Sequence, residues 1–154
     1  DGELCELFDH CGCSNGLDWS YDGKKMFYCD TPLSKIEVFD FDIKENSLKN
    51  RRCFAQIPRE LGCPDGFCMD ENDNIWLGLW GGSAILEIRA DGSFGERIDV
   101  AAKKASCCAF AGEELRDLII TTASKDDEDE YPLSGYVFSK KMKVKGKKSF
   151  RYRG

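Results

Sequence analysis

Apolar positions along the chain come in short runs, not in long stripes. Runs at 26–30, 36–41, 52–57, 75–79, 84–88, 96–100, 118–122 and 136–139 are rich in β-branched, aromatic or alternating apolar residues, the pattern of strands with one or both faces buried. Turn signals separate them: Asp22-Gly23, Thr31-Pro32, the polar run 71–74, Gly81-Gly82 and Asp91-Gly92. No stretch sustains a helical period with caps. Residues 103–109 are the best helix candidate, and a poor one. The pattern predicts an all-β chain.

The runs repeat. Segments 15–31, 65–81 and 107–123 align without gaps, each with a short apolar strand, a polar turn and a second apolar strand. The first two are followed by a further hairpin, 36–41 with 52–57 and 84–88 with 96–100. Four strands per unit, recurring every forty to fifty residues, is the signature of β-propeller blades. The repeats lie near 15–57, 65–100 and 107–139, in one partial propeller domain over 1–154. A β-sandwich or barrel is the alternative, but neither requires matched hairpins at this spacing. In a propeller the inner strands surround the central axis. Asn15 and Asp65 open equivalent inner strands, so they are expected to converge near the mouth of one channel, with Cys107 in the same column of the third repeat.

That expectation bears on Asp65, which is held between Pro64 and Gly66. Proline fixes its own φ and biases its predecessor to extended backbone, and glycine lets the chain turn. Such a carboxylate is either a turn residue or a ligand. An Asn amide oxygen and an Asp carboxylate are hard donors suited to Ca²⁺ or a similar divalent ion. Two donors are too few for a closed site.

Composition narrows the partners. The 154 residues are 42% hydrophobic, enough for a core, and carry a formal net charge of -6, which argues against a nucleic-acid surface. No apolar run approaches a membrane span or reads as a signal peptide. The chain starts at Asp1 without an initiator Met, so it is expected to be processed or a fragment. Nine cysteines cannot all pair internally, and their spacings form no paired CxxC zinc pattern. Free thiols in a reducing, cytoplasmic compartment are the expectation. The cluster His10-Cys11-Gly12-Cys13, with the only histidine, is a weak metal candidate without a second cluster.

Other residues have plainer readings. Asp18 and Asp70 fall on the strand face opposite Asn15 and Asp65 and are expected to bond turns or neighbouring blades. Trp19, Trp76 and Trp80 are expected to fill space between blades. Cys107-Cys108 reads as buried and apolar, since vicinal disulfides are strained. The acidic run 125–130 reads as a solvated loop, and the basic tail 140–153 as a solvated end.

The motifs together resemble a known family. Residues 14–20 (Ser14-Asn15-Gly16 and on), Asp22-Gly23, 28–32 and 39–42 look like one blade of the regucalcin/gluconolactonase (senescence-marker-protein) family. Pro64-Asp65-Gly66 with Met69-Asp70, then Trp80-Gly81-Gly82, resemble the next blade. Residues 106–112 and 119–123 resemble a third, and 131–135 the C-terminal closing strand. The resemblance implies a six-bladed β-propeller, of which this chain covers about the C-terminal three blades plus the closing strand. It implies a divalent-metal-dependent lactonase acting on small-molecule sugar-acid lactones. The cofactor would be one divalent ion: Ca²⁺, or alternatively Zn²⁺, Mn²⁺ or Mg²⁺. Asn15 and Asp65 match metal ligands of the family, and Asp65 also its proposed general base. The family's ligating Glu and substrate-holding residues lie in the half that has no counterpart here. A half-ring leaves open sheet edges, so the isolated chain is expected to be inactive, and the other propeller half or self-association is the expected partner. The alternative readings are a calcium-binding module without turnover and a truncated, inactive remnant.

Overall fold

A computed structural model describes residues 4–124 and 129–149. Among these residues the chain is almost entirely antiparallel β, with two single-turn 3₁₀ helices at Thr31–Leu33 and Arg59–Leu61. Strands β1 (Ser14–Trp19), β2 (Lys25–Asp30), β3 (Lys35–Asp42) and β4 (Ser47–Gln56) form a four-stranded meander. Strands β5 (Cys63–Met69), β6 (Ile75–Trp80), β7 (Ala84–Ile88) and β8 (Phe94–Asp99) form a second. Strands β9 (Lys104–Ala111), β10 (Asp117–Ala123) and β11 (Phe138–Lys141) form a three-stranded unit, joined to the second by one bridge between Trp80 and Lys104.

The alternation along β6 shows why the units stack. Its odd-numbered residues Ile75, Leu77 and Leu79 are fully buried toward the first unit, against Phe27, Ile36, Val38 and Ile57. On the other face Trp76 packs toward the third unit with Ile85, Ile98, Ala105, Leu118 and Ile120. Both faces of this sheet are therefore dry. Its strand reads as a continuous apolar run broken only by Gly78, where a Cβ would stand 2.9 Å from the Ser106 carbonyl oxygen. Each buried aliphatic side chain contributes on the order of 1.5–3 kcal/mol. The outer face of the first unit is covered by the segment before β1. Phe8 stacks on Phe39 at 5.1 Å and meets Tyr28 edge-on at 5.0 Å.

The structure departs from the sequence reading in four places. The helix candidate 103–109 falls in strand β9, paired with β10 on either side of a single extra residue. Its Lys, Ala, Ser and Cys residues carry no strong strand preference. The burial of Ala105 and Cys108 between two units decides the conformation. Residues 131–135, expected to form a closing strand, are a turn, and the strand begins only at Phe138. Trp76 is buried and Trp19 packs edge-on to Phe41, but the third tryptophan, Trp80, is 36% exposed beneath the Lys104 ammonium. The basic tail is not a free end over its described part. The Met142 N–H donates to the Arg116 carbonyl and the Gly146 N–H to the Leu115 carbonyl. The Glu71 N–H donates to the Lys145 carbonyl, and the Lys147 N–H to that of Met69. The tail thus straps the third unit to the second and ends on the first, where Lys147 Nζ meets Asp18 at 2.6 Å. Residues 125–128 of the acidic run lie outside the described residues.

Candidate functional site

Each inner strand carries a register irregularity near its start, at the same point of the repeat in the first two units. In β1 it falls between Ser14 and Leu17, and in β5 between Pro64 and Phe67. In the third unit the partners of Thr121 and Thr122 are Cys107 and Ala105, so Ser106 is the extra residue. A bulge breaks the two-face alternation and re-aims the side chain it carries. Asn15 and Asp65 therefore leave the core faces and stand half-buried, each followed by a buried glycine.

Those glycines set the spacing between units. A Cβ on Gly16 would lie 2.1 Å from the Phe67 ring and 2.9 Å from the Asp65 carbonyl oxygen. A Cβ on Gly66 would lie 2.5 Å from Cys107 Sγ. Only glycine admits such approach, so the three bulges sit side by side around an arc. Asn15 and Asp65 stand beside each other, the Cβ position of Gly16 lying against the Asp65 backbone. Asn15 Nδ2 also donates to Thr31 Oγ1 at 3.0 Å, and Thr31 Oγ1 donates to the Pro64 carbonyl oxygen at 2.8 Å. The Cys29 thiol points at the same carbonyl, 3.6 Å away.

The electrostatics are those of a negative charge held partly out of water. Burial raises the Asp65 pKa above its ordinary value, against the lowering effect of the Gly66 N–H and of Asn15. Burial pushes the Cys29 thiol up to about 12, with the Asp65 charge as the next cause. Burial also raises Cys107, with Asp65 among the further contributors.

Asp18 and Asp70 serve structure, at the far ends of the same strands. Asp18 accepts the Met69 N–H at 3.0 Å from the neighbouring unit and the Trp19 N–H at 2.8 Å. Asp70 is fully buried and accepts from the Asn72 and Asn74 backbones, the Asn74 amide and the Trp76 indole. The segment around His10 is organised by the buried Asp30, which accepts the N–H groups of Gly12 and Cys13. His10 itself points to solvent beside Asp9. Cys107 and Cys108 are free thiols, as are the other seven cysteines, and Cys108 Sγ lies 3.6 Å from Cys68 Sγ. Among the described residues no three His, Cys, Asp or Glu side chains group as a metal cluster, and no helix is long and apolar enough to cross a membrane. Sequence reasoning missed Thr31. The signal was its place at the end of β2, where a hairpin returns the chain beside Asn15.

Known proteins resemble this chain. The SMP-30/gluconolactonase/LRE-like region matches residues 1–124, and the chain belongs to that family. It is 34% identical over 154 residues to the putative sugar lactone lactonase YvrE of Bacillus subtilis, covering 95% of this chain and 52% of that protein. It is 32% identical to Gallus gallus regucalcin, covering 90% of this chain and 48% of the relative. The solved structure of regucalcin from Agrobacterium tumefaciens, described as a calcium-binding protein, superposes with a TM-score of 0.88 at 26% identity, over 94% of this chain and 51% of that one. The chain thus spans about half the length of the curated relatives it matches, and its fold is β-propeller-like.

Proposed function

We propose that this chain forms three blades of a six-bladed propeller, its C-terminal half, and contributes Asn15 and Asp65 to the divalent-ion centre of an enzyme that hydrolyses sugar-acid lactones. The carrying observation is that these two hard-oxygen side chains stand on equivalent bulges of adjacent inner strands, tied through Thr31, which accepts from Asn15 and donates to the Pro64 carbonyl next to Asp65. The family membership and the lactonase name of one relative support the reaction.

The residues fit an ion. A half-buried carboxylate whose proton affinity is raised by burial, with two thiols that feel its charge, is a place where a cation relieves an electrostatic cost. Asn15 Oδ1 and the Asp65 carboxylate would hold it. When bound, a divalent ion supplies a Lewis acid for the lactone carbonyl. Asp65 orients the attacking water and takes its proton. The water oxygen bonds to the carbonyl carbon, the ring C–O bond breaks, and the proton passes to the departing alkoxide. Substrate recognition is assigned to the rest of the ring, supplied by the remaining blades or by a second copy. The free thiols support a reducing, cytoplasmic location.

Assay of the isolated 154-residue chain on glucono-δ-lactone with Ca²⁺, Zn²⁺ or Mn²⁺ is expected to give no turnover. In a ring completed by the other half, Asp65→Ala is expected to abolish both ion binding and hydrolysis. Retention of both would refute the assignment. A second reading, calcium binding without turnover, is favoured by the description of the Agrobacterium relative. Ca²⁺ affinity with no hydrolysis in the completed ring would select it.

A further inference from the structure

We infer that Thr31 is the positioning residue that fixes which atom of Asn15 faces the ion, and that it couples the two ligand strands. The inference rests on the assignment of Asn15 and Asp65 as ligands. An asparagine amide presents either an acceptor oxygen or a donor nitrogen, and a 180° flip exchanges them. The hydrogen-bond chain at Thr31 removes that freedom. Thr31 Oγ1 lies 2.8 Å from the Pro64 carbonyl oxygen, which only accepts. The hydroxyl proton is therefore committed to Pro64, and Oγ1 has only lone pairs left for Asn15. Nδ2 must face it, at 3.0 Å, and Oδ1 is turned the other way as the free hard donor.

The same hydroxyl holds the second ligand's strand. Pro64 immediately precedes Asp65, so Thr31 ties the β2 end of the first unit to the β5 bulge of the second. Its own backbone is fixed. Pro32 restricts the residue before it, Thr31 opens the 3₁₀ turn Thr31–Leu33, and its N–H donates to the Cys13 carbonyl at 3.2 Å. One side chain thus sets the orientation of one ligand and the distance to the other.

The test compares Thr31→Val, Thr31→Ser and Asn15→Ala in the ring completed by the other half, stripped with EDTA and titrated calorimetrically with Ca²⁺ and with Mn²⁺. Urea melts of the metal-free proteins are recorded alongside. Thr31→Val keeps the shape and loses the hydroxyl. It is expected to weaken ion binding about 10–100-fold, the usual effect of removing a group that orients a metal ligand. Thr31→Ser is expected to bind like the parent, which a role in packing alone does not predict. Should Thr31→Val fail to fold, Thr31→Ala carries the same comparison. If Asn15→Ala loses affinity while the variant lacking the hydroxyl binds like the parent, or if Thr31→Ser is as weak as Thr31→Val, the inference is overturned. If Asn15→Ala itself binds like the parent, the ligand assignment falls, and the inference with it.

Discussion

Replacing Lys147 by methionine tests whether the C-terminal strap stabilises the arc of units. Lys147 has a side chain only 6% exposed, and its Nζ lies 2.6 Å from Asp18 Oδ1 and 2.5 Å from the Trp19 carbonyl oxygen. Methionine keeps most of the aliphatic stem and removes the charge. Breaking a buried pair by deleting one partner costs about 3–5 kcal/mol, because the other charge is left behind. Asp18 retains the N–H groups of Met69 and Trp19, so the lower end, about 3 kcal/mol, is expected. At about 2–4 °C per kcal/mol for a chain of this size, the melting temperature should fall by about 6–12 °C. Urea denaturation of the parent, Lys147→Met, Asp18→Asn and the double variant closes a cycle. The double variant should lose less than the sum of the single changes, since neither charge is then stranded. Additive losses, or an unchanged midpoint for Lys147→Met, would refute the reasoning.

Two further outcomes follow from the ionisable groups. Because burial raises the Asp65 pKa, its ionised form costs stability above the unfolded pKa of about 3.9, and the cost vanishes below it. Asp65→Asn should therefore melt higher than the parent in EDTA at neutral pH, with the gap closing as the pH falls toward 3. Under saturating divalent ion the order should reverse, and a lower melting temperature for Asp65→Asn in EDTA would contradict the electrostatic account. A thiol reagent should modify the exposed Cys5, Cys13, Cys53 and Cys63 quickly. The buried Cys29, held up to about 12, and Cys108 should react only after unfolding. Peptide mapping of the labelled protein reads the order, and fast labelling of Cys29 would count against the packing around it.

The gap-free alignment of 15–31, 65–81 and 107–123 was legible because a hairpin fixes both its turn length and its alternation, so equivalent residues stay equivalent. The structure has β1–β2, β5–β6 and β9–β10 in those spans. That Asn15 and Asp65 stand at equivalent points of adjacent inner strands was legible for the same reason. Thr31 was not, since its role depends on the Pro64 carbonyl of another unit and no local pattern carries that contact. Strand β9 was hidden by a composition that suits helix as well as strand. The strap was hidden by its charge: Val144-Lys145-Gly146-Lys147 reads as solvated until Asp18 is found waiting for the ammonium.

The bulge shared by the three inner strands has a consequence for how such a site can diverge. A residue inserted outside the two-face alternation is not counted in either core. Its replacement leaves the packing of adjacent sheets untouched. The first two units already hold an amide and a carboxylate at this one point, over cores of the same kind, and in the third the extra residue is Ser106. A gene that duplicates this unit can therefore exchange donors one position at a time. The glycine beside each of the first two donors, where neighbouring strands nearly touch, is the position that cannot follow.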